Sequence, residues 1–278
     1  MPVDARRFIR RVQGGAQAHL LEAADGHYYV VKFINNPQHR RILTNEWLAS
    51  AFLRILGIAT PEVAMVRVSA EFLEQNLDAH IQRGMHRGAL KSGWHFGSRY
   101  PGDPAKAGVY DALPTSLLDR VENVNEFLGV LAFDKWVGNT DSRQAVFFHP
   151  NARSRSHQSD APSVHIGFVA QMVDNGHIFE GANWRFSDSP LQGLYSGRTV
   201  YSSVRGLSCF EPWLDLIVNF REDVVDQALK EVPGSWLDGD EGEIERLLEK
   251  LMLRRKRVPE LIEASFSTES SLFPSWED

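Results

Sequence analysis

Two aspartates of this chain stand in polar turns between apolar runs. Asp141 lies in Gly138-Asn139-Thr140-Asp141-Ser142-Arg143-Gln144, and Asp174 follows about thirty residues later in Met172-Val173-Asp174-Asn175-Gly176. A carboxylate on a short loop between a buried helix and a strand can accept the proton of an attacking hydroxyl. A carboxylate at a strand end, beside a glycine that frees the backbone, suits Mg²⁺, which takes a few carboxylates and completes its shell with phosphate and water. A base and a metal ligand in this order are the parts of phosphoryl transfer. Each aspartate also has a plain reading, because Asn-Thr-Asp commonly caps a turn and Asp-Asn-Gly is an ordinary turn.

Neighbouring residues extend the same chemistry. Arg143, next but one to Asp141, would keep that carboxylate ionised and can stabilise a transferring phosphate. Gln144 can lend a neutral oxygen to the metal of Asp174. Far upstream, Lys32 sits late in a strand that follows the Gly14-Gly15-Ala16-Gln17 turn. An ammonium there can reach phosphates lying under the turn, and bare glycine amides make a nest for anions. The alternatives are a solvated edge lysine and a plain hairpin. Glu46, on the following helix, can pair with Lys32 and hold it in position. On a helical wheel, however, it lies off the stripe of Leu48, Phe52 and Ile55, so periodicity turns it toward solvent; both readings stay open.

These groups need elements to carry them. Residues 8–12 are a strand candidate, and Asp25-Gly26 marks a hairpin into the strand 28–34, which makes an antiparallel meander. Asn35-Asn36-Pro37 breaks the sheet. Leu48, Phe52, Ile55 and Leu56 then give the stripe of a half-buried helix ending at Gly57. Residues 61–68 read as a fourth strand, 70–81 as a helix and 91–97 as a further strand. The turn-rich Tyr100-Pro101-Gly102-Asp103-Pro104 marks a lobe boundary.

Beyond that boundary helices dominate. The expected helices are 114–119 and 125–137, the second apolar on nearly every face and closed by Gly138. Residues 144–149 and 164–173 are strands joined by a mobile polar loop over 150–163. Helices follow at 212–219, 223–232 and 243–253, with a frayed tail after Ser265. The expected fold class is therefore α+β and two-lobed, with an antiparallel sheet and one helix over residues 1–99 and a mainly helical lobe over residues 100–278.

Composition narrows the function classes. The 278 residues are 43% hydrophobic and 24% charged, ordinary globular material. A formal net charge of -6 argues against a broad nucleic-acid or anionic-membrane surface, and Arg254-Arg255-Lys256-Arg257 is too short a run to supply one. The one cysteine, Cys209, cannot form an internal disulfide and reads as a buried apolar side chain. Neither a signal-peptide core nor a run of about eighteen apolar residues is visible, so the expected location is the cytoplasm. The histidines lack zinc spacing, and there is no Walker A or Gly-x-Ser-x-Gly motif. The tryptophans, including Trp94, Trp136, Trp184 and Trp213, read as packing residues, since they are not interleaved with basic ones.

As an ordered set, several segments resemble the HipA-like kinase family. They are Tyr29-Val30-Val31-Lys32-Phe33, Leu43-Thr44-Asn45-Glu46, Leu56-Gly57-Ile58-Ala59-Thr60-Pro61, Phe133-Asp134-Lys135-Trp136 with Gly138-Asn139-Thr140-Asp141 and Arg143-Gln144, and Val173-Asp174-Asn175-Gly176. The resemblance spans roughly residues 8–230. It implies a bacterial-type kinase with a protein-kinase-like fold that uses ATP and Mg²⁺, with Lys32 on the ATP phosphates, Asp141 as base and Asp174 on the metal. The family's toxins carry His and Asn where this chain has Arg143 and Val146, so Gln144 serves as the second metal ligand or none does. The expected activity is transfer of the γ-phosphoryl group of ATP to a protein serine or threonine. The alternatives are a nucleotide-binding interaction module without transfer, and a small-molecule kinase. The acceptor is a protein or small-molecule hydroxyl, a protein partner is open, and neither nucleic acid nor membrane is expected.

Overall fold

The computed structural model describes residues 2–150 and 167–277. Apart from Pro150, the loop expected over 150–163 and the first residues of the strand expected from 164 lie outside that range. Strands β1 (Pro2–Arg11), β2 (His19–Ala23) and β3 (Tyr28–Lys32) form the expected meander. Helix α1 (Arg41–Ile55) follows, then β4 (Val63–Val68) and a short helix α2 (Ala70–Gln75). Strands β5 (His80–Arg83) and β6 (His86–Ala89) make a separate hairpin before β7 (Gly93–Arg99). The helix expected over 70–81 thus stops at Gln75: Asn76 leaves helical geometry and its side chain bonds back to the Phe72 carbonyl.

The expected antiparallel sheet closes into a barrel in the order β1-β2-β3-β7-β4. Closure depends on β1, which is longer than the sequence signal suggests. Register shifts between Ala5 and Arg7 and between Phe8 and Arg10 bend it, so its second half pairs with β2 while Pro2 to Asp4 pair in parallel with Met65 to Arg67 of β4. Leu21, Val31, Phe33, Val66 and Val68 fill the barrel interior.

After the barrel come β8 (Val109–Tyr110), α3 (Thr115–Leu118) and α4 (Glu126–Val137). Gly138 closes α4 in the left-handed conformation at φ 61°, where a side chain would be strained. Strands β9 (Gln144–Phe148) and β10 (Val169–Val173) pair antiparallel, and β8 joins the outer edge of β9. The rest is helical: α5 (Trp213–Val218), α6 (Glu222–Lys230), α7 (Gly234–Leu237), α8 (Glu241–Arg254) and α9 (Val258–Thr268). The tail expected to fray is instead ordered through α9, and Leu272 and Phe273 are buried beyond it.

One large core joins α1 to α4 and the C-terminal helices, with Phe52, Phe133, Trp136 and Phe220 in it. Trp136 also donates its indole N–H to the Leu251 carbonyl of α8, 3.0 Å away. Helix α1 is consequently buried on nearly every face rather than half-buried, because the barrel packs on one side and helices on the other. Only its end is open, with Ile55 exposed. Cys209 is only partly buried. No helix among the described residues is long and apolar enough to cross a membrane.

Two histidines are buried in the barrel wall beside Phe33, His19 on β2 and His95 on β7. Burial lowers both to about 4, with the Arg11 charge adding to the effect at His19. An unfolded histidine takes a proton near pH 6.5, so between about 6.5 and 4 the unfolded chain binds more protons than the folded one. Stability is therefore complete above pH 6.5 and falls as pH drops through this window, by about 1.4 kcal/mol per pH unit for each histidine. Urea midpoints measured from pH 7.5 to 4.5 are expected to fall accordingly. His95→Asn, whose side-chain oxygen can still accept from the Ile34 N–H, should flatten the curve; a wild-type midpoint constant from pH 7 to 5 would contradict the assignment.

Candidate active site

Of the residues singled out for chemistry, all but Asp141 line a cavity of about 670 Å³ between the barrel and the β9-β10 hairpin. The glycine turn forms one wall with Gly14 and Gly15. Lys32, Glu46, Gln144 and Asp174 also face it, and Val30, Val63, Phe96 and Met172 give it apolar walls. The wall on the hairpin side begins at Ser142, the residue after Asp141.

Lys32 ends β3 and is nearly buried. Its ammonium donates to Glu46 Oε1 and, at 2.6 Å, to Asp174 Oδ1. Burial by itself would lower the lysine, but the two carboxylates outweigh it and hold Lys32 above its ordinary value. Lys32 in turn, against the opposing effect of burial, keeps Asp174 below the usual carboxylate range. Glu46 is 3% exposed, so of its two open readings the structure carries the inward one. The stripe misleads because it marks only one of the two buried sides of α1.

Asp174 follows β10 with φ 57°, in the left-handed region, which aims its carboxylate back at Lys32. Its neighbour Gly176 is close-packed: a Cβ there would lie 2.6 Å from Ile42 Cγ2 of α1. Gln144 opens β9 directly opposite Val173, and its exposed side chain lines the same cavity as Asp174. Among the described residues no group of three or more His, Cys, Asp or Glu could hold a metal ion. One carboxylate and one amide oxygen facing a phosphate-sized space nevertheless fit Mg²⁺, which is characteristically bound through one or two protein groups plus substrate phosphates and water.

Asp141 lies on the loop after α4, partly exposed. Asn139 Oδ1 accepts from its backbone N–H at 3.1 Å, and its own Oδ1 accepts from the Ser142 N–H at 2.8 Å. No side-chain donor binds the Asp141 carboxylate among the described residues.

Arg143 is placed differently from the sequence expectation. Instead of pairing with Asp141 it is fully buried against Asp134 of α4, with Nε donating to Oδ2 at 2.9 Å and Nη2 to Oδ1. Its remaining fork, Nη1, donates to Asn175 Oδ1 at 2.7 Å and to the Val173 carbonyl at 3.2 Å. Burial holds Asp134 above its ordinary value against the opposing charge of Arg143, and the guanidinium keeps its proton. With four of its five N–H groups engaged and its side chain inaccessible, Arg143 ties the loop of Asp141 to the loop of Asp174.

Asp134, Asn139 and Asn175 received no separate role from the sequence, yet they complete a buried chain of polar groups. It runs from Lys32 to Glu46, then through Asn175 Nδ2 (3.5 Å from Glu46 Oε2) to Arg143 and Asp134. Asn139 Nδ2 donates to Asp134 Oδ1 at 3.0 Å, and Asn139 holds the backbone of Asp141. The available signal was Asp134 itself, a carboxylate in the interior of a helix apolar on nearly all faces, which requires a buried partner. Lys135 is the second such signal: it is 2% exposed, burial lowers it to about 8, and it donates to the carbonyls of Pro190 and Gln192.

A family model described as HipA-like kinase matches residues 6–151, the stretch that holds Lys32, Glu46, Asp134 and Asp141. No curated protein sequence matches this chain. Among solved structures, the hydra Fam20 with sugar superposes with a TM-score of 0.54 at 12% identity, over 96% of this chain and 87% of that one. The Golgi casein kinase superposes at 0.52 and 11% identity, over 96% of this chain and 74% of that one. The same kinase with Mn/ADP bound superposes at 0.50 and 11% identity, over 96% and 73%. At such identities the likeness establishes a kinase-like fold.

Proposed function

We propose that this chain, which belongs to the HipA-like kinase family, transfers the γ-phosphoryl group of ATP, with Mg²⁺, to a serine or threonine hydroxyl of a protein. The observation that carries this reading is the meeting of Lys32, Glu46 and Asp174 in one cavity whose rim is the Gly14-Gly15 turn. The chain places these groups from three separate elements, and plain turn chemistry gives no reason for them to meet. That a kinase of similar fold is described with Mn/ADP bound supports nucleotide and divalent-metal use.

In this reading the purine lies between Val30, Val63, Phe96 and Met172, and the turn amides lie along the phosphates. Lys32, held by Glu46, takes a phosphate oxygen in place of its present contact with Asp174. Asp174 and Gln144 would hold the metal, which when bound neutralises phosphate charge. Asp141 accepts the proton of the acceptor hydroxyl as its oxygen bonds to the γ-phosphorus and the bond to ADP breaks. We place the boundary between the ATP-binding part, residues 1–99, and the catalytic part, residues 100–278, after the last barrel strand. The absence of a cysteine pair in the sequence supports a cytoplasmic setting.

Lys32→Met is the first test. Calorimetry with ATP and Mg²⁺, and transfer of labelled phosphate to casein or to the chain itself, are expected to register a loss of about 100-fold or more in kcat/KM for ATP, the size of effect of removing a preorganised charge from a transferring group. Wild-type ATP binding and turnover in Lys32→Met would remove Lys32 from the site. Metal-dependent ATP binding by the wild type with no transfer to any hydroxyl would instead favour a binding module, a reading that Val146 at the family's asparagine position supports.

A further inference from the structure

Asn45 lies on α1, one residue before Glu46, and is fully buried. Its Nδ2 faces three carbonyls of the segment that follows Asp174: Gly176 at 2.8 Å, Gly181 at 2.9 Å and Ile178 at 3.1 Å. Its Oδ1 accepts from the Trp184 indole N–H at 2.9 Å. This arrangement fixes the amide orientation, since a flipped side chain would set an oxygen against three carbonyls and an NH₂ against an N–H. All of these side-chain hydrogen bonds go to one segment.

The segment needs such a tie. Phe179, Glu180 and Trp184 lie in the left-handed region at φ 58°, 57° and 50°, a conformation that only a surrounding structure sustains in non-glycine residues. Asn45 therefore binds a strained segment to the helix that carries Glu46.

We infer that Asn45 is a positioning residue for the Asp174 carboxylate, and that it sets how readily the site takes a divalent cation; this rests on the function proposed above. The reason lies in the Lys32–Asp174 contact of 2.6 Å. When Lys32 takes a phosphate oxygen, Asp174 loses that partner, and only its backbone keeps the carboxylate in place. The backbone anchors include Arg143 on the Val173 carbonyl, the side chain of Asn175 on Arg143 and Glu46, and, on the far side of Asp174, Asn45 on the carbonyl of Gly176. Outer groups that orient a metal ligand commonly govern metal affinity by about 10–100-fold.

The test is calorimetric binding of ADP at stepped Mn²⁺ concentrations to the wild type, Asn45→Asp and Trp184→Phe. Asn45→Asp keeps the shape but turns an acceptor toward three carbonyls. Its half-saturating Mn²⁺ is expected to rise about 10–100-fold, with metal-free ADP affinity within about twofold of wild type, as expected for a group that acts only through Asp174. Trp184→Phe removes the donor to Asn45 Oδ1, along with part of the ring that lies under Arg41, and should raise the Mn²⁺ requirement severalfold; it decides the matter if Asn45→Asp does not fold. A folded variant with a lower melting temperature and an unchanged Mn²⁺ requirement would overturn the inference alone. Wild-type ADP binding that ignores Mn²⁺ would overturn the proposed function and the inference with it.

Discussion

Asp141→Asn is expected to lower the rate of phosphoryl transfer by about 10²–10⁴-fold, the usual contribution of a general base, while ATP affinity changes little. The substitution keeps size and shape. An asparagine oxygen can still accept from the Ser142 N–H, and Asn139 still accepts from the backbone N–H of residue 141, so the loop has no reason to move. What is lost is the ability to take a proton. Because Lys32, Gln144 and Asp174 are untouched, calorimetry with ATP and Mg²⁺ should register binding close to wild type. This split separates Asp141 from Lys32, whose loss lowers binding and turnover together. Full transfer by Asp141→Asn would make Asp141 a turn residue and leave the base unassigned.

The second large effect is on stability. Arg143→Met should cost about 3–5 kcal/mol, because it leaves Asp134 charged, fully buried and without its partner. Domains of this kind are stable by only about 5–15 kcal/mol, so the variant approaches unfolding at room temperature. Urea denaturation measures the loss directly. The double variant Arg143→Met/Asp134→Leu removes both charges and is expected to be more stable than Arg143→Met alone, since a buried ion pair replaced by apolar groups is often neutral overall. Arg143→Lys should fall between, because a single ammonium cannot reproduce a fork that serves both Asp134 oxygens and Asn175 together. An Arg143→Met protein as stable as wild type would mean that Asp134 is protonated or solvated, contrary to the geometry.

The local signals were legible where a turn or a long apolar run dictates structure by itself. Asp25-Gly26 marked the hairpin between β2 and β3, and Gly138 marked the end of α4. Signals failed where a second layer of packing decides. The stripe on α1 identified Leu48 and Phe52 correctly but turned Glu46 outward, since periodicity registers one buried side and this helix has two. The helix expected over 70–81 holds only to Gln75 and then gives way to a turn and the β5-β6 hairpin, whose short strands carry weak alternation. Arg143 illustrates a different limit: its nearest carboxylate in sequence is Asp141, but its partner is nine residues away on α4.

The pair of aspartates in polar turns was determined by the sequence alone, as were their order along the chain and the strands and helices that flank them. Those features depend on residues within a turn or two of one another. Only the tertiary structure decided what each carboxylate touches. Asp174 meets Lys32 because barrel, α1 and hairpin close on one cavity, and Asp141 is tied to Asp174 through Arg143 and Asp134 in a core that excludes water. Charges so buried must find partners wherever the fold supplies them, and sequence spacing carries no record of that search.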